Sequence, residues 1–85
     1  MKLKHLILTA SLLAPFASHA AEPLRIATDA TYPPFEYVDA SGKVAGFEVD
    51  FAYALCKAMA TQCEVVNQPW DGLIPGLQAK KYDAI

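Results

Sequence analysis

Three hydrophobic rhythms follow one another along the chain. Residues 6–17 are almost continuously apolar. Leu24-Arg25-Ile26-Ala27-Thr28 alternates and is β-compatible, which predicts a first strand. Asp29-Ala30-Thr31-Tyr32-Pro33-Pro34 then reads as a loop, its prolines fixing φ and holding Tyr32 extended. Phe35–Val38 and Lys43–Phe47 flank Asp39-Ala40-Ser41-Gly42, whose turn chemistry predicts a hairpin-like excursion. The third rhythm is helical. Phe51, Leu55, Ala58 and Met59 fall on one face of a helix that starts at Asp50 or a near neighbour. On that pattern Phe47, Phe51, Leu55 and Met59 are expected in the core. Glu64–Asn67 reads as a second strand. Trp70-Asp71-Gly72 opens a second helix with Asp71 as N-cap and Leu73, Ile74 and Leu77 as its apolar face. Pro75 is tolerable only near the first turn, and Gly76 weakens the helix further. Lys80 and Lys81 suit its C-terminus, where the helix dipole favours cations. Tyr82–Ile85 looks like the entry to a third strand.

Strands alternating with helices indicate an α/β unit with a mainly parallel sheet. Such strands need neighbours and two covered faces, which a chain this short hardly provides. The sequence is therefore expected to be the N-terminal part of a larger protein.

The first rhythm changes the composition arithmetic. Lys2, Lys4 and His5 precede the apolar run, which at twelve residues is shorter than the ~20 a spanning helix needs and is interrupted by Pro15. Ser18-His19-Ala20 places small residues where a signal peptidase reads. Residues 1–20 are read as a cleaved secretory signal, cut after Ala20, with an N-terminal membrane anchor as the alternative. No cysteine follows the run directly, which argues against a lipoprotein. Residues 21–85 then keep five basic residues against all nine acids, a net charge of −4. That balance argues against nucleic acid as the main partner, because phosphate binding needs a clustered basic surface. Both histidines leave with the signal, and Ser41 is the one serine that remains. Residues 21–85 therefore offer no histidine base, no Ser-His or Cys-His pair and no histidine-ligated metal, and no cofactor is expected from them.

Cys56 and Cys63 remain, and a secreted context permits a disulfide between them. The rival reading is a redox pair, although redox motifs usually set the cysteines only two residues apart.

The stretch Gly46-Phe47-Glu48-Val49-Asp50-Phe51-Ala52-Tyr53-Ala54-Leu55-Cys56 resembles the signature of the family 3 bacterial extracellular solute-binding proteins. These are periplasmic receptors that deliver polar amino acids to ABC importers. Leu24–Asp29, Tyr32-Pro33-Pro34-Phe35, Trp70–Pro75 and Lys81–Ala84 also match the family, in its order. The Cys56/Cys63 spacing is similar to the disulfide of the subgroup that binds lysine, arginine, ornithine and histidine. The resemblance implies a type II periplasmic-binding-protein fold of two α/β lobes, with residues 21–85 forming the first part of lobe 1. It also implies a monomer that captures one amino acid and docks on a membrane ABC permease complex. Carried over by position, Asp29, Tyr32 and Trp70 would contact the ligand. Glu48 stands at the first acid of the signature, often Asp in relatives. In the family, an arginine and hydroxyl or backbone donors beyond Ile85 would hold the ligand's α-carboxylate.

The chemistry of these residues agrees with that expectation. A cationic side chain can sit between the faces of Tyr32 and Trp70, each worth about 0.5–2 kcal/mol. Asp29 and Glu48 can accept charge-assisted hydrogen bonds from it. Each also has a plainer reading: Asp29 as a loop carboxylate, Tyr32 as lobe packing, Trp70 as an anchor for the helix start, Glu48 as a solvated acid. Glu36 and Asp50 are read as structural. The same fold also hosts enzymes, such as cyclohexadienyl-dehydratase-like proteins and modules associated with lytic transglycosylases, and ligand-sensing ectodomains of membrane receptors. These are the competing functions.

Overall fold

A computed structural model of the chain describes residues 22–85. The proposed signal at 1–20 lies outside them. Among the described residues five strands and two helices follow in order: β1 Leu24–Thr28, β2 Thr31–Tyr32, β3 Glu36–Val38, β4 Val44–Ala45, α1 Phe47–Ala58, β5 Cys63–Asn67 and α2 Trp70–Gln78.

β1 pairs in parallel with β5, from Leu24 opposite Cys63 to Thr28 opposite Asn67. On its other edge Ile26 bridges Ala84 in parallel, and the Ala27 N–H donates to the Ala84 carbonyl at 2.9 Å. The expected third strand is thus begun, with β1 at the centre. Asp83 fastens it there, its carboxylate accepting from the Arg25 N–H at 2.9 Å. β2, β3 and β4 form a separate antiparallel sheet. The expected hairpin is β3–β4. Its turn is organised by Asp39, whose Oδ1 accepts from the Ser41 N–H and hydroxyl and from the Lys43 N–H. The segment expected as plain loop holds the two-residue strand β2, because Thr31 and Tyr32 can pair back onto Tyr37 and Glu36. It also contains a cis Pro33–Pro34 peptide bond.

The helices take opposite faces of the parallel pair, as side-chain alternation in strands dictates. Ala27 packs with Leu73 and Tyr82, joined by Val66 and Leu77. On the other face Val65, Val49 and Cys56 are buried. The disulfide Cys56–Cys63, with Cα atoms 6.1 Å apart, ties the end of α1 to the start of β5.

The structure corrects four details of the helices. Phe47, Phe51, Leu55 and Met59 are not core: they are 67%, 56%, 49% and 57% exposed. Helix α1 is apolar nearly all round, and the face it turns to the sheet is the one carrying Val49 and Cys56. Asp71 is not the N-cap of α2. Pro69 holds that place with no side-chain hydrogen bond, and Asp71 is the second helical residue. Pro75 lies inside α2 rather than in its first turn, and Gly76 is a seat rather than merely a weak point. A Cβ on Gly76 would come within 2.6 Å of Tyr82 Cζ, so only glycine lets that buried ring lie on the helix. The Tyr82 hydroxyl then meets the Leu73 carbonyl at 2.6 Å and the Gly72 carbonyl at 2.9 Å. Lys80 and Lys81 follow α2 instead of ending it. Their N–H groups donate to the Leu77 and Gly76 carbonyls, closing the helix with a left-handed residue, Lys80, at φ 60°.

Candidate functional site

The site forms where β1 ends. The Gln68 N–H donates to the Thr28 carbonyl at 2.8 Å, and the Asn67 side chain accepts from the Ala30 N–H at 3.0 Å. These bonds hold the chain leaving β1 beside the chain leaving β5. Asp29 is fixed at that exit, its Oδ1 accepting from the Thr31 hydroxyl at 2.9 Å. Trp70 stands at the first turn of α2, just after β5. Ligands of open α/β sheets gather at such C-terminal strand ends.

A cleft of about 270 Å³ opens there, lined by Asp29, Tyr32, Glu36 and Trp70 over an apolar floor that includes Leu73 and Ile85. Three of the four residues singled out in the sequence therefore share one cavity. Both rings are largely free, Tyr32 being 65% and Trp70 73% exposed. Among the described residues neither ring is buried in the core. Tyr32 leans on Phe35, with ring centroids 6.1 Å apart and planes at 32°.

Glu48 is not in this cleft. It lines an adjoining one with Tyr32, Phe35 and Glu36. Glu36 borders both, and the sequence reading passed it over as structural. Its place follows from the β2–β3 register, which sets Glu36 directly across from Tyr32. An acid four residues beyond Tyr32 across a Pro-Pro bend was the available signal.

The electrostatics are one-sided. Asp29, Glu36 and Glu48 cluster, and neither cleft contains a lysine or arginine. Glu36 Oε2 is buried and has no hydrogen-bond partner. The Glu36 carboxyl is held above the usual carboxylate range, first by a hydrogen bond with the Glu48 carboxyl, then by burial, then by repulsion from Glu48 and Asp29. Two ionised carboxylates can only accept. A hydrogen bond between the two therefore requires a proton on one of them. A donor-rich cation with a flat face would answer both the rings and the acids. Guanidinium is such a group.

Comparison with known proteins gives the family. The model of the bacterial extracellular solute-binding proteins, family 3, matches residues 24–85. The ABC transporter arginine-binding protein 1 of Escherichia coli is 44% identical over 84 residues, covering 98% of this chain and 35% of that protein. The histidine-binding periplasmic protein of Salmonella typhimurium is 47% identical over 89 residues, covering 98% of this chain and 34% of that protein. A solved Salmonella typhimurium periplasmic binding protein, described for its high arginine specificity, superposes with a TM-score of 0.70 at 48% identity, over 76% of this chain and 30% of that one. The chain spans about a third of the length of the curated relatives it matches.

Proposed function

The chain belongs to the bacterial extracellular solute-binding proteins of family 3, and from that premise we propose that the whole protein captures a cationic amino acid, arginine foremost, for an ABC importer. The observation that carries the reading is the cleft at the end of β1, where two exposed rings face a cluster of acids with no cation among them. The named relatives bind arginine and histidine. They are named as binding proteins, and the chain is read in the same way, without catalysis.

The guanidinium enters between Tyr32 and Trp70, whose faces attract it at about 0.5–2 kcal/mol each, more once water is excluded. Asp29 and Glu36 accept its N–H groups. These hydrogen bonds are of the strong, charge-assisted kind. Micromolar binding corresponds to roughly −8 kcal/mol, so rings and acids supply part of it. The α-carboxylate meets no cation in this cleft, and its donors come from the remainder of the protein. Residues 1–20 direct the chain to the periplasm and are removed there.

Titration of the full-length, ligand-stripped protein against the standard amino acids and ornithine tests the reading. The expected result is tightest binding for arginine, with lysine, ornithine or histidine next. Absence of a response to every cationic amino acid would sink it.

A further inference from the structure

Glu48 has no direct place in the ligand cleft, yet the fold seats it in an adjoining cleft that Glu36 shares. Gly46 makes that approach possible. Its φ is 125°, and a Cβ there would lie 2.9 Å from the Pro34 carbonyl oxygen and strike the Phe35 carbonyl. With no Cβ, the first turn of α1 closes on this strand. The Phe47 N–H donates to the Pro34 carbonyl at 3.1 Å and the Glu48 N–H to the Phe35 carbonyl at 3.0 Å. Glu48 is thereby seated across a shared cleft from Glu36. The ionisable groups facing Glu36 are Glu48 from α1, Asp29 from the loop after β1, and Tyr32 from β2. β4 brings only Val44 and Ala45, and α2 brings Trp70.

We infer that Glu48 is a positioning residue: at mildly acidic pH the empty site holds one proton between Glu48 and Glu36, and an arriving cation expels that proton and takes Glu36 as its partner. The inference rests on the cationic-ligand reading above. Two close carboxylates with no cation cannot both stay ionised at little cost, and they titrate as a pair. The proton satisfies the buried Oε2 until a guanidinium N–H replaces it. It leaves to solvent, so capture of a cation is coupled to proton release, whereas a neutral ligand leaves the pair protonated. Affinity for arginine therefore falls by up to about tenfold per pH unit once the pH drops below the pair's upper titration. The exchange is a cost that the cation's attraction to the acids has to exceed, and it makes capture pH-dependent for cations alone.

The test uses the full-length, ligand-free protein. Carbon-13 NMR of the glutamate side-chain carboxyls, assigned with Glu36→Gln, follows the titration. Glu36 is expected to titrate above the ordinary glutamate range in the wild type and to return to it in Glu48→Gln. Calorimetric titration with arginine at mildly acidic pH, in two buffers of different ionisation heat, counts released protons. The wild type is expected to release a measurable fraction of a proton, and Glu48→Gln none. An ordinary Glu36 titration in the wild type overturns the inference whether or not Glu48→Gln folds. Equal proton release by the two proteins overturns it as well. Should arginine fail to bind at any pH, the proposed function falls, while the carboxyl titration still decides whether the pair holds a proton.

Discussion

Trp70 offers the sharpest test of how the cleft recognises its ligand. It is 73% exposed and is the first residue of α2, after an N-cap, Pro69, that makes no side-chain bond. Truncating it to alanine removes little buried surface, and alanine is a good helix former. The fold should therefore lose no more than about 0.5 kcal/mol. Binding should lose the cation–π share of one ring, about 0.5–2 kcal/mol, which is roughly a 2- to 30-fold weaker Kd for arginine. The charge dependence is the diagnostic part. Citrulline has nearly the shape of arginine but no charge, so Trp70→Ala should weaken it less. Calorimetric titration of both ligands against the full-length protein, with urea unfolding of the ligand-free protein beside it, supplies the comparison. An equal loss for both ligands would mean that Trp70 is only an apolar wall. An unchanged Kd would place it outside the site. A large fall in stability would favour the core-anchor reading.

Other outcomes can be checked with the same protein. Replacing both Cys56 and Cys63 with alanine opens a short loop whose closure is worth roughly 2.5 kcal/mol in the chain-entropy account, visible as a lower urea midpoint. Gly76→Ala drives a methyl into the Tyr82 ring and should cost about 1–3 kcal/mol, again by urea unfolding. Helix α1 closes on Ala60 at φ 53°, with the Ala60 and Thr61 N–H groups bonded to the Lys57 and Cys56 carbonyls, so Ala60→Gly should raise stability by about 1 kcal/mol. The Glu36 pKa is raised in the folded state, chiefly by its hydrogen bond with Glu48. Its favourable contribution is thus complete below the unfolded glutamate value and is lost as pH rises through the folded one. Glu36→Gln should accordingly become more stable than the wild type as pH climbs to neutrality, while binding arginine more weakly; a fixed stability gap from pH 4 to pH 8 would contradict this.

Much of this architecture is legible because it is local. Alternation over Leu24–Thr28, turn residues at Asp39–Gly42 and a helix opening at Trp70 act through neighbouring dihedrals and short-range hydrogen bonds. Such signals survive without knowledge of what lies across the fold. The two cysteines are close enough in sequence for their pairing to be read in the same way. Asp29, Tyr32 and Trp70 were singled out by the family resemblance, position by position, and the parallel pairing of β1 with β5 then sets the ends of those strands side by side.

The buried face of α1 was not legible, since Phe47, Val49, Phe51, Ala52, Leu55, Cys56 and Met59 leave the helix apolar on most sides and periodicity cannot choose among them. Glu36 was missed for a related reason. An isolated acid in a strand carries no mark of its partners, and its role comes from the register opposite Tyr32 and from the approach of Glu48 across Gly46. The sequence by itself carried the family resemblance, the alternation of the longer strands and helices, and the acidic and aromatic residues that line the cleft. Tertiary structure alone decided which carboxylates stand together, because repulsion, burial and a shared proton depend on distances that sequence spacing does not set.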